Sequence, residues 1–191
     1  MSPPSPSLTF RKATEADVPV IDALVRSAYR GESSKQGWTT EAHFIEGERI
    51  DEAGILAKIG EPGGAILIAS GPDGQALACC EVLRYAGEGE GEGAGEGGLA
   101  YFGLFAVNPG LQNGGIGKKV LAEAERYARE VLGVRRLEMQ VIWLRDELVA
   151  WYVRRGYELL DEKRPFPYEH ASNGRPLRDD LYFVILRKDL V

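Results

Sequence analysis

Six residues, Gln112-Asn113-Gly114-Gly115-Ile116-Gly117, combine two features that hold an anion: glycines that leave backbone N–H groups bare, and a place at the start of a helix. The apolar run before them, Leu104-Phe105-Ala106-Val107, is short enough to be one buried strand. Asn108-Pro109-Gly110 breaks that strand, since Pro109 has no N–H for a ladder and Gly110 tolerates positive φ. After the turn, Val120, Leu121, Ala124, Tyr127, Ala128, Val131 and Leu132 recur at helical spacing, and Lys118, Lys119, Glu123, Arg126 and Arg129 take the other side. The dipole of that helix adds partial positive charge to the bare amides, so the ligand to expect is a phosphate or pyrophosphate. A Walker loop is excluded, because position 112 is Gln and position 119 is Lys where Gly and Ser or Thr are needed. A dinucleotide fingerprint is excluded too, because Gly115-Ile116-Gly117 is followed at its third glycine position by Val120.

The spacing that does fit is Val-x-Pro-x-x-Gln-x-x-Gly-x-Gly, spelled by Val107, Pro109, Gln112, Gly115 and Gly117. This resembles motif A of the GCN5-related N-acetyltransferase (GNAT) superfamily. The resemblance implies that the amides of Gln112, Asn113, Gly114, Gly115, Ile116, Gly117 and Lys118 cradle the pyrophosphate of acetyl-CoA, with no metal. It also implies that the pantetheine arm pairs like an extra strand with Phe105, Ala106 and Val107 at a bulge, where an N–H polarises the thioester carbonyl. Further on, Trp151-Tyr152-Val153-Arg154-Arg155-Gly156-Tyr157 resembles the second signature of the superfamily, in which the residue at Tyr152 donates to the coenzyme A sulfur. A free phenol has a pKa of about 10 and a thiol about 8.5, so Tyr152 should act by a strong hydrogen bond at least as much as by proton transfer. Trp151 and Tyr157 read as core. Arg145 stands where the superfamily often has Asn; unable to accept a hydrogen bond, it is expected to meet a phosphate or an acceptor carboxylate instead. Arg145, Glu147, Trp151-Tyr152, Pro165-Phe166-Pro167-Tyr168 and Gly37-Trp38-Thr39-Thr40-Glu41 together are similar to a subgroup of small-molecule-type members.

Acetyl transfer also needs the acceptor amine to lose a proton, and here the pattern departs from many relatives. Leu99 to Gln112 contains no carboxylate, so Glu81 on the neighbouring strand becomes the candidate base, with Glu41 or a water chain as alternatives. Trp38, Glu41 and Tyr168 are candidate residues at the acceptor lip. His43 and His170 lie too far apart to suggest a metal pair. Cys79 and Cys80 are adjacent, which is no disulfide framework and reads as two small buried strand residues in a reduced compartment.

The elements that must position these groups follow in order. Met1 to Ser7 reads as a disordered tail, and residues 8–191 as one domain. Leu8 to Lys12 is a first strand; Asp17 caps a helix carrying Ile21, Leu24, Val25 and Ala28 that Gly31 ends. Thr40 caps a second helix bearing His43, and a helical segment through Ile50, Ile55, Leu56 and Ile59 ends near Gly60. Ala65–Ala69 and Ala76–Leu83 form a hairpin about Gly71-Pro72-Asp73-Gly74. Residues 87–98, acidic and glycine-rich, are a flexible loop. Strands follow at Leu99–Val107, Arg136–Ile142, Tyr157–Leu160 and Tyr182–Leu186, with a helix over Asp146–Arg155 and a polar loop over Arg164–Asp180. That order is similar to the GNAT fold: an α/β domain with a mixed, mostly antiparallel sheet of about seven strands flanked by about four helices.

The formal charge of −6 argues against nucleic-acid binding by a basic patch, and no apolar run reaches membrane length. The expectation is a cytoplasmic N-acetyltransferase that moves acetyl from acetyl-CoA to a small-molecule primary amine by direct attack in a ternary complex, and a homodimer is compatible with it. The rivals are a peptide or protein N-acetyltransferase, and a non-catalytic acyl-CoA-binding module that the missing carboxylate favours and Tyr152 opposes.

Overall fold

The computed structural model describes residues 7–30, 32–85, 98–112, 114–170 and 174–191. The tail before Ser7, the loop before Gly98, Gly31 and Asn113 therefore lie outside the described residues. The elements are β1 (Thr9–Lys12), α1 (Val18–Tyr29), β2 (Ile45–Glu46), α2 (Glu52–Gly60), β3 (Gly64–Ser70), β4 (Ala76–Arg84) and β5 (Leu99–Val107). There follow α3 (Ile116–Glu130), β6 (Arg136–Ile142), α4 (Asp146–Val153), β7 (Glu158–Pro165), β8 (Arg175–Pro176) and β9 (Tyr182–Asp189). Seven strands form one sheet in the order β1-β3-β4-β5-β6-β9-β7, antiparallel except where β5 meets β6; β2 and β8 pair separately.

Alternation explains why the central strands are apolar on both faces. Ile66, Ile68, Cys79, Leu104 and Ala106 pack under α1 and α2, while Leu67, Cys80, Val82, Phe102 and Met139 pack with α3. Both cysteine side chains are fully buried, as small strand residues should be. Val131 departs from the expected apolar face of α3: it sits past the last turn and is exposed.

The central feature is a break in this sheet. β5 and β6 pair only from Leu99–Arg136 to Tyr101–Glu138, and then part. On its other edge β5 pairs Ala106 with Cys79 and Gly103 with Glu81, so Leu104 and Phe105 together oppose Cys80. That is a bulge, and Leu104 carries it at a φ of 46°, a conformation rare for a branched side chain. β6 continues along β9 to Ile142, so the two central strands diverge into a wedge.

Other segments fold differently from the sequence pattern. No helix starts at Thr40; residues 42–44 turn, and Ile45–Glu46 pair with Arg175–Pro176. Phe44 and Ile45 are drawn from a helical pattern into a cluster with Ile142, Leu181, Phe166 and Phe183. The helix cap is Asp51, whose Oδ1 accepts from Gly54 N–H at 2.7 Å. Asp17 ends a 3₁₀ turn ahead of α1 and makes no cap bond; Arg11 holds its carboxylate at 2.6 and 2.7 Å. The last strands are longer than expected, since β7 runs to Pro165 and β9 to Asp189. Among the described residues no helix is long and apolar enough to cross a membrane, and no cluster of His, Cys, Asp and Glu is arranged to hold a metal.

Candidate active site

The wedge between β5 and β6 is a cleft of two connected cavities, about 310 and 240 Å³. They share Tyr29, Phe105, Arg145, Leu148 and Tyr152 as walls. The smaller opens onto Gln112, Gly115, Gly117 and Lys118; the larger runs between Tyr101–Phe105 and Met139–Ile142 to Phe166 and Pro167.

At the loop end, Gly115 precedes α3 at a φ of 80°, which only glycine adopts without strain. The first bond into the helix is Lys119 N–H to Gly115 O at 3.3 Å, so the amides of Gly115, Ile116, Gly117 and Lys118 have no intrahelical partner. The expected cradle is shorter than the sequence reading: Gln112 N–H donates to Pro109 O and Gly114 N–H to Leu111 O, both at 3.4 Å. The Gln112 side chain braces the turn, accepting from Trp38 N–H at 3.1 Å and donating to Thr39 Oγ1 and Val107 O at 3.0 and 3.3 Å. Ile116 turns its side chain into the core and offers only its amide. Arg155, given no cofactor role by the sequence pattern, adds a second cation to Lys118 on this wall. It lies over the Trp151 ring at 3.5 Å, and its buried Nε has no partner among the described residues. Trp151, expected in the core, is half-buried and lines the same cavity beside Trp38. Gly115→Ala should weaken coenzyme A binding several-fold and lower stability by about 1–2 kcal/mol, the cost of a left-handed non-glycine residue; calorimetric titration and a denaturant melt check both.

Along β5, Asn108 N–H donates to Leu77 O, so alternation turns the Val107 backbone away from β4 and toward the cleft. The Phe105 carbonyl accepts from the Tyr29 hydroxyl at that same edge. Ala106 corrects the sequence reading: it pairs with Cys79 in the β4 ladder and lines neither cavity.

Tyr152 is 4% exposed on α4 and lines both cavities. Its hydroxyl makes no hydrogen bond to the described residues, while its ring is wedged edge-on against Phe102, Trp151 and Tyr157. Burial pushes its pKa well up, so the phenol stays protonated and can donate. Tyr157 is core, as expected, with its hydroxyl on Glu125 at 3.0 Å.

The acidic candidates are placed otherwise than the sequence suggested. Glu81 is 3% exposed, is gripped by Lys58 Nζ at 2.7 and 2.8 Å, and lines neither cavity. It sits opposite Gly103, over which the Tyr101 ring folds so closely that an added Cβ would lie 2.4 Å from it. Tyr101 faces the larger cavity in its stead. Glu41 does line that cavity but is 4% exposed and held by arginines, not free at a lip. One of them is Arg145, which donates from Nη1 to Glu41 and from Nη2 to Thr39 O, both at 2.8 Å. Its place is a brace between α4 and the 39–41 segment. Tyr168 lines neither cavity; its hydroxyl accepts from Leu181 N–H at 2.7 Å.

The model of the acetyltransferase (GNAT) family matches residues 21–157, and the chain belongs to that family. It is an acetyl-CoA-dependent N-acetyltransferase. No curated protein matches the chain by sequence. Solved structures match its fold along nearly its whole length. A ribosomal-protein-alanine N-acetyltransferase from Brucella melitensis is 21% identical, with 95% of this chain and 99% of that one covered and a TM-score of 0.66. A spermidine N-acetyltransferase chimera from Vibrio cholerae and hSSAT is 16% identical, covering 96% and 95%, with a TM-score of 0.65. The yncA protein of Salmonella typhimurium, solved with its cofactor acetyl-CoA, is also 16% identical, covering 97% and 95%, with a TM-score of 0.65.

Proposed function

We propose that the chain transfers the acetyl group of acetyl-CoA to a primary amine of a small molecule, which attacks directly in a ternary complex. The observation that carries this reading is Tyr152, a buried phenol on the wall common to both cavities whose hydroxyl has no partner among the described residues. The residues present suit acetyl-CoA: the amides of Gly115 to Lys118, unpaired among the described residues, suit a pyrophosphate together with Lys118 and Arg155, and the Val107 edge suits a pantetheine amide. When bound, acetyl-CoA supplies the acetyl group as an activated thioester. Tyr152 then donates a hydrogen bond to the departing sulfur, which keeps the leaving group from carrying a bare charge. Direct attack is supported by the cysteines, since neither lines either of these two cavities and burial pushes both thiols up, Cys79 to about 12. A small acceptor is supported by Phe166, Pro167 and Gly174, which wall the larger cavity opposite β5.

The only carboxylate lining the cleft among the described residues is Glu41, and three guanidiniums hold it ionised. Burial acts to raise its pKa, but Arg49, Arg145 and Arg30 outweigh burial and leave it below the ordinary carboxylate range, too weak a base for an ammonium. The amine therefore enters neutral or sheds its proton to water. The acid limb of kcat/KM should accordingly follow each acceptor's own ionisation, rising about tenfold per pH unit up to that pKa. Two acceptors whose amines differ in pKa should show limbs displaced by that difference; a limb fixed at one pH for both would mean an enzymic base.

The transfer itself is tested by thiol release over small amines, amino acids and peptides, with initial rates measured against both substrates. Intersecting double-reciprocal lines are expected. Parallel lines would overturn direct attack, a preference for peptides would overturn the small acceptor, and binding of acetyl-CoA without acceptor-dependent thiol would overturn transfer.

A further inference from the structure

Three arginines from three separate segments converge on one carboxylate in the larger cavity. Glu41 is met by Arg49 Nη1 at 2.9 Å to both oxygens, by Arg145 Nη1 at 2.8 Å and by Arg30 Nη2 at 3.5 Å. It is the only carboxylate among the described residues within ion-pair distance of any of the three, so two positive charges stand unmatched. Arg30 and Arg145 are almost wholly buried, at 7% and 9% side-chain exposure, and the Arg30 Nε has no partner among the described residues. Arg49 is the open one, at 27%. It spends Nη1 on Glu41 and lies 3.9 Å over the Tyr29 ring, while Nε and Nη2 donate to none of the described residues. Tyr101 lines the same cavity, and its hydroxyl likewise makes no hydrogen bond among the described residues. Burial raises the pKa of that phenol, so it too is a donor.

We propose that the acceptor amine also carries a carboxylate, which Arg49 receives on the Tyr101 side of the larger cavity. The inference rests on the transfer reading above and names its substrate class. Surplus buried charge is costly unless an anion answers it, and the fork of a guanidinium matches the two oxygens of a carboxylate. Arg49 lines the cavity, with Nη1 held by Glu41 and its guanidinium lying over the Tyr29 ring. An acceptor with several ammonium groups would meet repulsion at the same place.

The test pairs L-amino acids with their carboxamides, compared at equal concentrations of neutral amine, with aliphatic polyamines as a third arm. In the native chain the carboxylate should exceed the carboxamide in kcat/KM by about tenfold or more, the scale of one charge-assisted hydrogen bond. Arg49→Gln should bring that ratio toward one, chiefly through KM, and Arg49→Lys should keep part of it. A native ratio of one or less, or preference for polyamines, overturns the proposal; a ratio that Arg49→Gln leaves intact overturns the assignment to Arg49. Calorimetry on coenzyme A-saturated protein separates this from the underlying reading. Absence of thiol release with every amine defeats transfer, whereas equal affinity for amino acid and carboxamide defeats the carboxylate site.

Discussion

Replacing Tyr152 with phenylalanine should lower kcat about a hundredfold, the scale of a lost general-acid contact, and leave acetyl-CoA affinity nearly unchanged. The hydroxyl has no partner among the described residues, so its removal orphans no buried group, and the ring contacts with Phe102, Trp151 and Tyr157 survive in phenylalanine. Folding stability should therefore hold within about 1 kcal/mol, since neither a cavity nor an unsatisfied donor is created. Loss of an interaction made mainly in the transition state appears in kcat and kcat/KM alike. Steady-state kinetics beside calorimetric affinity would test this; an unchanged kcat, or a loss confined to acetyl-CoA affinity, would defeat the role given to Tyr152. The reason for a donor role is electrostatic. Burial disfavours the phenolate, so the group cannot serve as a base near neutral pH.

Locally encoded parts of the site were legible in the sequence. β5 and β6 take the bounds their apolar patterns predict, and the break at Asn108-Pro109-Gly110 and the glycine ahead of α3 follow from backbone chemistry. Even there the pattern overstated the cradle, because turn bonds engage the Gln112 and Gly114 amides, a detail that side-chain identity does not specify. The arginine cluster had no local signal at all. Glu41 and Arg145 are 104 positions apart, and Arg30, Arg49 and Tyr29 meet them only when α1, the 39–49 segment and α4 pack together. Glu81 failed for a related reason. Its strand neighbour is glycine, which lets the Tyr101 ring fold over, and the sequence does not say which way that ring turns. Thr40 carried a valid helix-start signal that tertiary packing overrode, since Phe44 and Ile45 pack instead in the cluster with Leu181 and Phe183.

Glu41→Gln should be the most destabilising single substitution near the cleft, by about 3 kcal/mol, the lower end for breaking a buried ion pair and leaving charge uncompensated. The glutamine has nearly the same volume, so the loss is electrostatic: in the native protein one carboxylate offsets three guanidiniums, two of them almost wholly buried, and the variant leaves them without it. Solvent reaches Arg49, which keeps the cost from the top of the range. The pH dependence carries the same signature. The folded pKa of Glu41 lies below its ordinary value, so its contribution is complete above the unfolded pKa and fades as pH falls through the folded one. Denaturant melts should thus show wild type losing stability on acidification more steeply than Glu41→Gln, the two curves converging at low pH. Amino-carboxylates should raise the melting temperature of the variant more than that of the wild type, because an incoming anion then replaces the charge that was removed. Parallel stability curves across the acid range would show that the three arginines do not depend on Glu41 for their place in the fold.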